Sequence, residues 1–265
     1  MKKAHFLAFM QHGVSSHSVG MWRHPLDKIG YDYAAPPYWE HLARTLERGL
    51  FDALFLADEL APYNSFEDSS NATVRYAVQA PTHEPAALTP IITGVTTHLG
   101  VGITLSTAFE HPYRMARWLA TFDHLSGGRI AWNIVGSYSP SEFAAYGQDM
   151  PDRSTRYERI EEYVELCCRL WDSWQPDAIV ADRETGIYAT RAGNVSGSEI
   201  RSASELSVNA PRYFAAGCVD GSRSAPPPDS LCRNVPDLSV LSRPRLRSSG
   251  NRFSAMSLNV PGRTA

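Results

Sequence analysis

The first 190 residues alternate short apolar runs with stretches of helical periodicity, and this alternation limits the available folds more than any other feature. Residues 5–9 (His-Phe-Leu-Ala-Phe), 52–57 (Asp-Ala-Leu-Phe-Leu-Ala), 100–106 (Gly-Val-Gly-Ile-Thr-Leu-Ser) and 129–135 (Arg-Ile-Ala-Trp-Asn-Ile-Val) read as buried strands. Prolines open the helices between them, where a missing N–H costs nothing. Pro37 starts one that carries Tyr38, Leu42, Leu46 and Leu50 at helical spacing, with Gly49 marking its end. Pro85 starts a second, expected to run to about His98, and Pro112 a third that stops at Ser126-Gly127-Gly128. A fourth helix is expected over about 154–174, with Tyr157, Ile160, Val164, Cys167, Cys168 and Trp171 at its apolar positions. The stretch before Pro36 reads as one long loop. Apolar strands alternating with amphipathic helices predict a parallel sheet covered by helices.

Two architectures satisfy that pattern, an open doubly wound sheet and a (β/α) barrel. The open sheet calls for a glycine-rich phosphate turn after the first strand. Here that strand runs into Gln11-His12-Gly13-Val14-Ser15-Ser16. Polar residues instead gather where strands end: Asp58, then Thr104 and Ser106, then Ser137 and Tyr138. In a barrel this end is the active-site face. The barrel is favoured, with four βα units making half of eight.

Composition narrows the class. The chain of 265 residues is 43% hydrophobic and 20% charged, with a formal net charge of −3, an ordinary soluble balance. No run approaches the roughly 18 apolar residues of a membrane span, and no secretory signal is apparent at the N-terminus. Four cysteines, two adjacent at Cys167 and Cys168, do not make a disulfide framework. The expectation is a reduced, cytoplasmic protein, without a membrane role and without a metal site, since no Cys or His pair has ligand spacing.

A seam falls near residue 190. All 9 histidines and all 6 tryptophans precede it. Residues 191–265 carry 10 arginines against 5 acidic residues, with many Ser, Pro and Gly. Such a segment is too poor in large apolar residues to build its own core. A basic nucleic-acid arm is disfavoured, because the arginines are scattered and no aromatic platform accompanies them. The expected domains are therefore a 1–190 half-barrel and a 191–265 low-order tail.

The strings Gly20-Met21-Trp22-Arg23-His24-Pro25, Phe51-Asp52-Ala53-Leu54-Phe55-Leu56-Ala57-Asp58, Glu110-His111-Pro112-Tyr113, Asp123-His124-Leu125-Ser126-Gly127-Gly128-Arg129 and Trp132-Asn133-Ile134-Val135 carry a further signal. In order and spacing they resemble the bacterial-luciferase-like, flavin-dependent monooxygenases. The similar branch is the one that oxidises nitrilotriacetate, dibenzothiophene sulfone and long-chain alkanes. The resemblance covers about residues 4–190. It implies a TIM barrel that binds reduced FMN and uses molecular oxygen, through a C4a-peroxyflavin, to oxidise a small organic substrate: alkane-like, organosulfur or aminocarboxylate. It also implies a separate NAD(P)H:flavin reductase that supplies the reduced FMN, and homo-oligomers in the intact enzymes.

The resemblance assigns roles residue by residue. Asp58, Thr104, Ser137, Tyr138 and Tyr157 fall at cofactor-binding positions, with Tyr157 toward the FMN phosphate at a helix start. Thr104 and Ser106 are expected on opposite faces of their strand, Thr104 inward. Tyr138 stands where the alkane enzyme has a histidine near the reacting centre; its hydroxyl can still donate a hydrogen bond. Tyr63 and Gln79 fall at substrate-side, catalytic positions. His111 and His124, which flank the third helix, are read as capping or packing residues.

Past Glu184-Thr185-Gly186-Ile187-Tyr188-Ala189 the resemblance stops, and the family's phosphate-binding turn and last four βα units do not follow. Cys232-Arg233-Asn234-Val235-Pro236, read one base later in GC-rich codons, can spell Ala-Gly-Thr-Ser, which resembles that turn. The tail is accordingly read as frameshifted. The alternative function is a truncated, catalytically inactive remnant, expected to be prone to aggregation or edge pairing because four strands leave open edges.

Overall fold

The computed structural model describes residues 4–173 and 178–189. Strands β1 (Leu7–Gln11), β2 (Ala53–Ala57), β3 (Gly100–Ser106) and β4 (Ile130–Val135) lie side by side in that order, all parallel. Their bounds differ from the expected ones by at most two residues. Order in space follows order in sequence, as in the wall of a barrel and unlike the reversed order of a doubly wound sheet. The expected tail, 191–265, lies outside the described residues.

Helices α1 (Ile29–Asp32) and α2 (Pro36–Arg48) connect β1 to β2. Helix α3 (Asn71–Tyr76), a 3-10 turn at Pro85–Leu88 and α4 (Thr89–Gly94) lead to β3. Helix α5 (Pro112–Ser126) precedes β4, and α6 (Pro140–Ala145) and α7 (Arg153–Trp171) follow it.

The two faces of the sheet are packed unequally. Leu54, Leu56, Val101, Ile103, Ile130 and Trp132 point toward the helices and are at most 2% exposed. Trp39, Ala43 and Leu46 of α2, Met115 and Leu119 of α5, and Val164, Cys167 and Trp171 of α7 complete this core. Its indoles are satisfied: Trp132 Nε1 donates to the Leu105 carbonyl and Trp171 Nε1 to that of Ala116, both at 2.9 Å. The opposite face carries Phe9, Phe55, Ala57, Asn133 and Val135, all only partly buried, with the Phe9 and Phe55 rings stacked 5.6 Å apart. Cys167 and Cys168 are free and buried.

Several expectations are corrected. Thr104 and Ser106 share one face, because residues two apart on a strand do: Val101, Ile103 and Leu105 take the helix side, leaving both hydroxyls on the inward side. The helix from Pro85 is broken into a 3-10 turn and the short α4, ending near Val95 rather than His98. Pro90 has no N–H to bond back, and the Glu47 carboxylate takes the N–H groups of Thr97 (2.8 Å), His98 (2.5 Å) and Leu99 (3.2 Å) out of any helix. Burial raises the Glu47 pKa, but those three hydrogen bonds outweigh it and hold the group below its ordinary value. The expected long loop contains a 3-10 turn at Met21–Arg23 and α1. Leu50 is 64% exposed, and Trp39 fills the core of α2 instead. The expected helix 154–174 ends at Trp171, with residue 174 outside the described residues; its Tyr157 is exposed and Ile160 only partly buried.

Gly13 closes the loop beyond β1 against residues 81–83. It bridges Thr82, while Val14 N–H donates to the Pro81 carbonyl (3.2 Å) and His83 N–H to that of His12 (2.6 Å). A Cβ on Gly13 would lie 2.8 Å from Thr82 Cγ2 and 2.9 Å from the Pro81 carbonyl oxygen. Gly13→Ala is expected to cost about 1–2 kcal/mol through this overpacking. A lower urea midpoint at unchanged m-value would register it; an unchanged midpoint would show that the clasp gives way freely.

Candidate functional site

Because the strands are parallel, their C-terminal ends share one edge of the sheet, and the loops that leave it converge. Asp58 and Glu59 follow β2 directly. Glu59 is 9% exposed, and its Oε2 accepts from the hydroxyls of Tyr63 (2.7 Å) and Tyr138 (3.2 Å). Two of the expected site residues, from the loops after β2 and β4, are thus joined by a carboxylate that the motifs did not single out.

A second carboxylate brackets the same loops. Glu142 of α6 is 4% exposed. It accepts from the backbone N–H of Leu60 (3.3 Å), and through its other oxygen from those of Tyr138 and Ser139 (3.2 Å each). The local signal is Ser139-Pro140-Ser141-Glu142, a capping-box spacing in which the acidic side chain reaches back to the helix start.

Burial lifts the Asp58 carboxyl to about 7, with Glu84 the next contributor and Glu142 and Glu59 adding to it; only the Glu59 backbone N–H opposes the shift. Burial likewise raises Glu59 and Glu84 above the ordinary carboxylate range. The phenols of Tyr63 and Tyr138 are raised too, first by burial. Tyr146, which stacks on Phe109 with ring centroids 4.0 Å apart, feels Glu110, Glu84, Asp58 and Glu142. The edge is therefore acidic and aromatic, and at neutral pH Asp58 is poised between its two protonation states.

The other expected residues occupy the same edge in separate pairs. Thr104 Oγ1 accepts from Asn133 Nδ2 (3.0 Å), and Ser106 Oγ meets Ser137 Oγ at 3.0 Å. Ser137 is buried with a left-handed backbone (φ 52°), a strained conformation for a residue with a side chain. Gln79, buried and also left-handed (φ 55°), hydrogen-bonds His17, whose ring stacks on Phe9. Gln11, 3% exposed at the end of β1, leaves Oε1 without a hydrogen-bond partner among the described residues. His111 caps α5, its Nδ1 accepting from the Tyr113 N–H at 3.2 Å, the expected capping role.

Tyr157 stands apart from the Glu59 pair. Its ring is 47% exposed and lies beneath the Arg153 guanidinium at 5.5 Å. Helix α7 nonetheless begins at the correct edge: Ile160 packs so closely on Gly136, just beyond β4, that a Cβ there would come within 2.6 Å of it. Asp152 caps this helix, accepting from the Thr155 N–H at 3.0 Å. Next to Tyr157, Arg156 buries Nη1 with no hydrogen-bond partner among the described residues. Its neighbour was singled out from sequence; the orphaned N–H is visible only once α7 is docked.

No group of three or more His, Cys, Asp or Glu residues could hold a metal among the described residues, and none of their helices is long and apolar enough to cross a membrane.

Parallel βα units in sequential order, with titratable and aromatic groups at the strands' C-terminal ends, define an enzyme-type wall of the TIM-barrel class. The luciferase-like monooxygenase pattern matches residues 5–218, and the chain belongs to that family. The long-chain alkane monooxygenase of Geobacillus thermodenitrificans (strain NG80-2) is 42% identical over 189 residues, 71% of this chain and 43% of the relative. A crystal structure of long-chain alkane monooxygenase aligns with a TM-score of 0.73 at 37% identity, over 83% of this chain and 53% of that one. A riboflavin lyase, solved with modified FMN and riboflavin, aligns with a TM-score of 0.71 at 30% identity, over 83% and 51% of the two chains. The chain thus spans about half the length of these relatives, or less.

Proposed function

We propose that this chain supplies the reduced-FMN face of a flavin-dependent monooxygenase that oxidises a small organic substrate with molecular oxygen, the FMN being reduced by a separate NAD(P)H:flavin reductase. The observation that carries the reading is the orphaned, buried Nη1 of Arg156 at the start of α7, beside Tyr157. A buried guanidinium N–H without a partner is costly, and an anionic phosphate at a helix N-terminus would satisfy it. When bound, reduced FMN would supply the oxygen activation.

The chain's own residues do the rest. Arg156 and Tyr157 would hold the phosphate. Asp58 would meet the polar edge of the ring, as an acceptor when ionised and as a donor when protonated. Thr104, Ser106 and Ser137 place hydroxyls on the inward face where the ring would lie. Tyr63, Gln79 and Tyr138 would border the substrate, and the aromatic pair Phe109–Tyr146 would help exclude water.

Anaerobic titration of the chain with reduced FMN tests this. Asp58→Ala, Arg156→Ala and Tyr157→Phe should each weaken binding by about 1–2 kcal/mol, the loss of one buried or charge-assisted hydrogen bond. Unchanged affinity in all three would overturn the reading. A second reading, that this chain by itself is an inactive relative, is favoured by the inward face of a sheet with four strands among the described residues, where Phe9, Phe55, Ala57, Asn133 and Val135 stay only partly buried. Binding of reduced FMN without oxidation of an alkane, sulfone or aminocarboxylate in the presence of a reductase would select it.

A further inference from the structure

We infer that Glu59 is a positioning residue for the proposed site: it draws the hydroxyl protons of Tyr63 and Tyr138 onto a single oxygen, so that both phenols present their oxygens to the site as acceptors and keep their protons. The inference rests on the reading of Tyr63 and Tyr138 as site residues. It stands on geometry. Glu59 is 9% exposed, and Oε2 receives Tyr63 at 2.7 Å and Tyr138 at 3.2 Å from two different loops. A phenol has one proton to donate, and here both are taken.

The bracket formed by Glu142 keeps this arrangement in register. It ties the Leu60 backbone, one residue beyond Glu59, to the Tyr138 and Ser139 backbones. The carboxylate therefore acts across the gap between the loops after β2 and β4. Glu59 Oε1 is buried and has no hydrogen-bond partner among the described residues, so the phenols are the side-chain groups that stabilise its charge.

The groups acting on this node are few. Tyr63, Glu142 and Tyr138 act on Glu59, and Glu59 in turn acts on Asp58. Glu59 and Tyr138 act on Tyr63, and Tyr63, Glu59 and Glu142 act on Tyr138. Behind burial, Glu59 raises both phenols, while the Tyr63 hydroxyl lowers Tyr138 in part, so an ionised Glu59 disfavours both phenolates. Protonation of Glu59 would release the demand on one phenol and let its O–H turn toward the site. The availability of a donor at Tyr138 is thus set by Glu59 and not by the tyrosine alone.

Nitration by tetranitromethane reads this directly, because the reagent attacks the phenolate, and peptide mass spectrometry assigns the rate to each tyrosine. Tyr138 is 65% exposed and Tyr31 74%, so access to the two is similar. At pH 8 in the flavin-free chain, Tyr138 should react measurably more slowly than Tyr31, because burial and then the Glu59 carboxylate raise its phenol pKa. In Glu59→Gln that lag should shrink, because the share owed to the carboxylate is removed and that owed to burial remains, while Tyr31 keeps its rate and Tyr163, 8% exposed, stays unreacted. Equal rates for Tyr138 and Tyr31 in the wild-type chain, or a lag undiminished in Glu59→Gln, would overturn the inference. Should Glu59→Gln loosen the fold, Tyr163 would react as well; the wild-type comparison then decides, a lag of Tyr138 behind Tyr31 supporting the inference and its absence overturning it. The measurement uses no flavin, so its failure is separate from a failure of reduced-FMN binding.

Discussion

Truncation of Arg129 to alanine is expected to cost about 3–4 kcal/mol of unfolding free energy, since hydrogen bonds from a charged group contribute about 1.5–3 kcal/mol each and add less than fully when they share one side chain. The guanidinium sits at the N-terminal edge of the sheet, opposite the candidate site. Nε donates to the Ser126 carbonyl at 2.8 Å, Nη1 to Thr96 Oγ1 and the Leu99 carbonyl at 3.0 Å each, and Nη2 to the Thr93 carbonyl at 2.9 Å. Thr93 and Ser126 lie in the last turns of α4 and α5, where carbonyls lack helical partners and a cation is favoured. Burial lowers the Arg129 pKa, and Glu47 opposes that shift. Arg129→Lys should recover less than half the loss, because a point charge cannot reproduce the fork that spans four acceptors. Urea unfolding of both variants checks this. A cost below about 1 kcal/mol for the alanine variant would mean that water replaces the clip without penalty.

The helix-covered side of the sheet was legible in the sequence because it depends on local pattern. Leu54 and Leu56, Val101 and Ile103, Ile130 and Trp132 lie in short apolar runs bounded by helical stretches, and Pro112 and Gly127 mark helix ends by backbone chemistry alone, with Pro37 one residue inside the observed start at Pro36. What was not legible depends on partners far away in the chain. Helix α4 stops where Glu47, some fifty residues earlier, captures three N–H groups. The Trp22-Arg23-His24-Pro25 string has no periodic meaning. Its tryptophan packs on Gly30, where a Cβ would approach Trp22 Cβ to 2.6 Å, and donates through Nε1 to the Tyr76 carbonyl at 3.2 Å. That pairing holds the 21–31 segment against α3.

The candidate site divides in the same way. Asp58, Thr104, Ser137 and Tyr138 could be placed because strand ends converge in any parallel βα wall. Reading Thr104 and Ser106 onto opposite faces misapplied the two-residue period, and their partners Asn133 and Ser137 share one face with them. Glu59, Glu84 and Glu142 carry no period, since they lie on loops or at a helix start. They become one electrostatic unit only when the ends of β2 and β4 are brought together. Arg156 was visible beside Tyr157, but its burial was not, because that depends on how α7 lies against β4.

Asp58→Asn is expected to stabilise the chain at pH 8 by about 2–4 kcal/mol and to change little at pH 4, since one pKa unit corresponds to about 1.4 kcal/mol. The Asp58 carboxyl is pushed up to about 7 in the folded chain, first by burial and then by Glu84, Glu142 and Glu59. An unfolded Asp titrates near 3.9, at about its model-peptide value. Between these two values the folded chain holds a proton that the unfolded chain has lost, so stability falls as pH rises through that window. Above about 7 the folded chain carries an ionised, poorly solvated carboxylate among other carboxylates, and the full penalty applies. Asparagine keeps the shape and the acceptor oxygen but has no charge to desolvate. The stabilisation should therefore be near zero at pH 4, grow through pH 5 and 6, and level off above pH 7, as read from urea midpoints across that range. A gain that is the same at pH 4 and pH 8 would show that Asp58 ionises in the fold as it does in water. In that case the acidic edge could not hold a proton for the proposed flavin site at neutral pH.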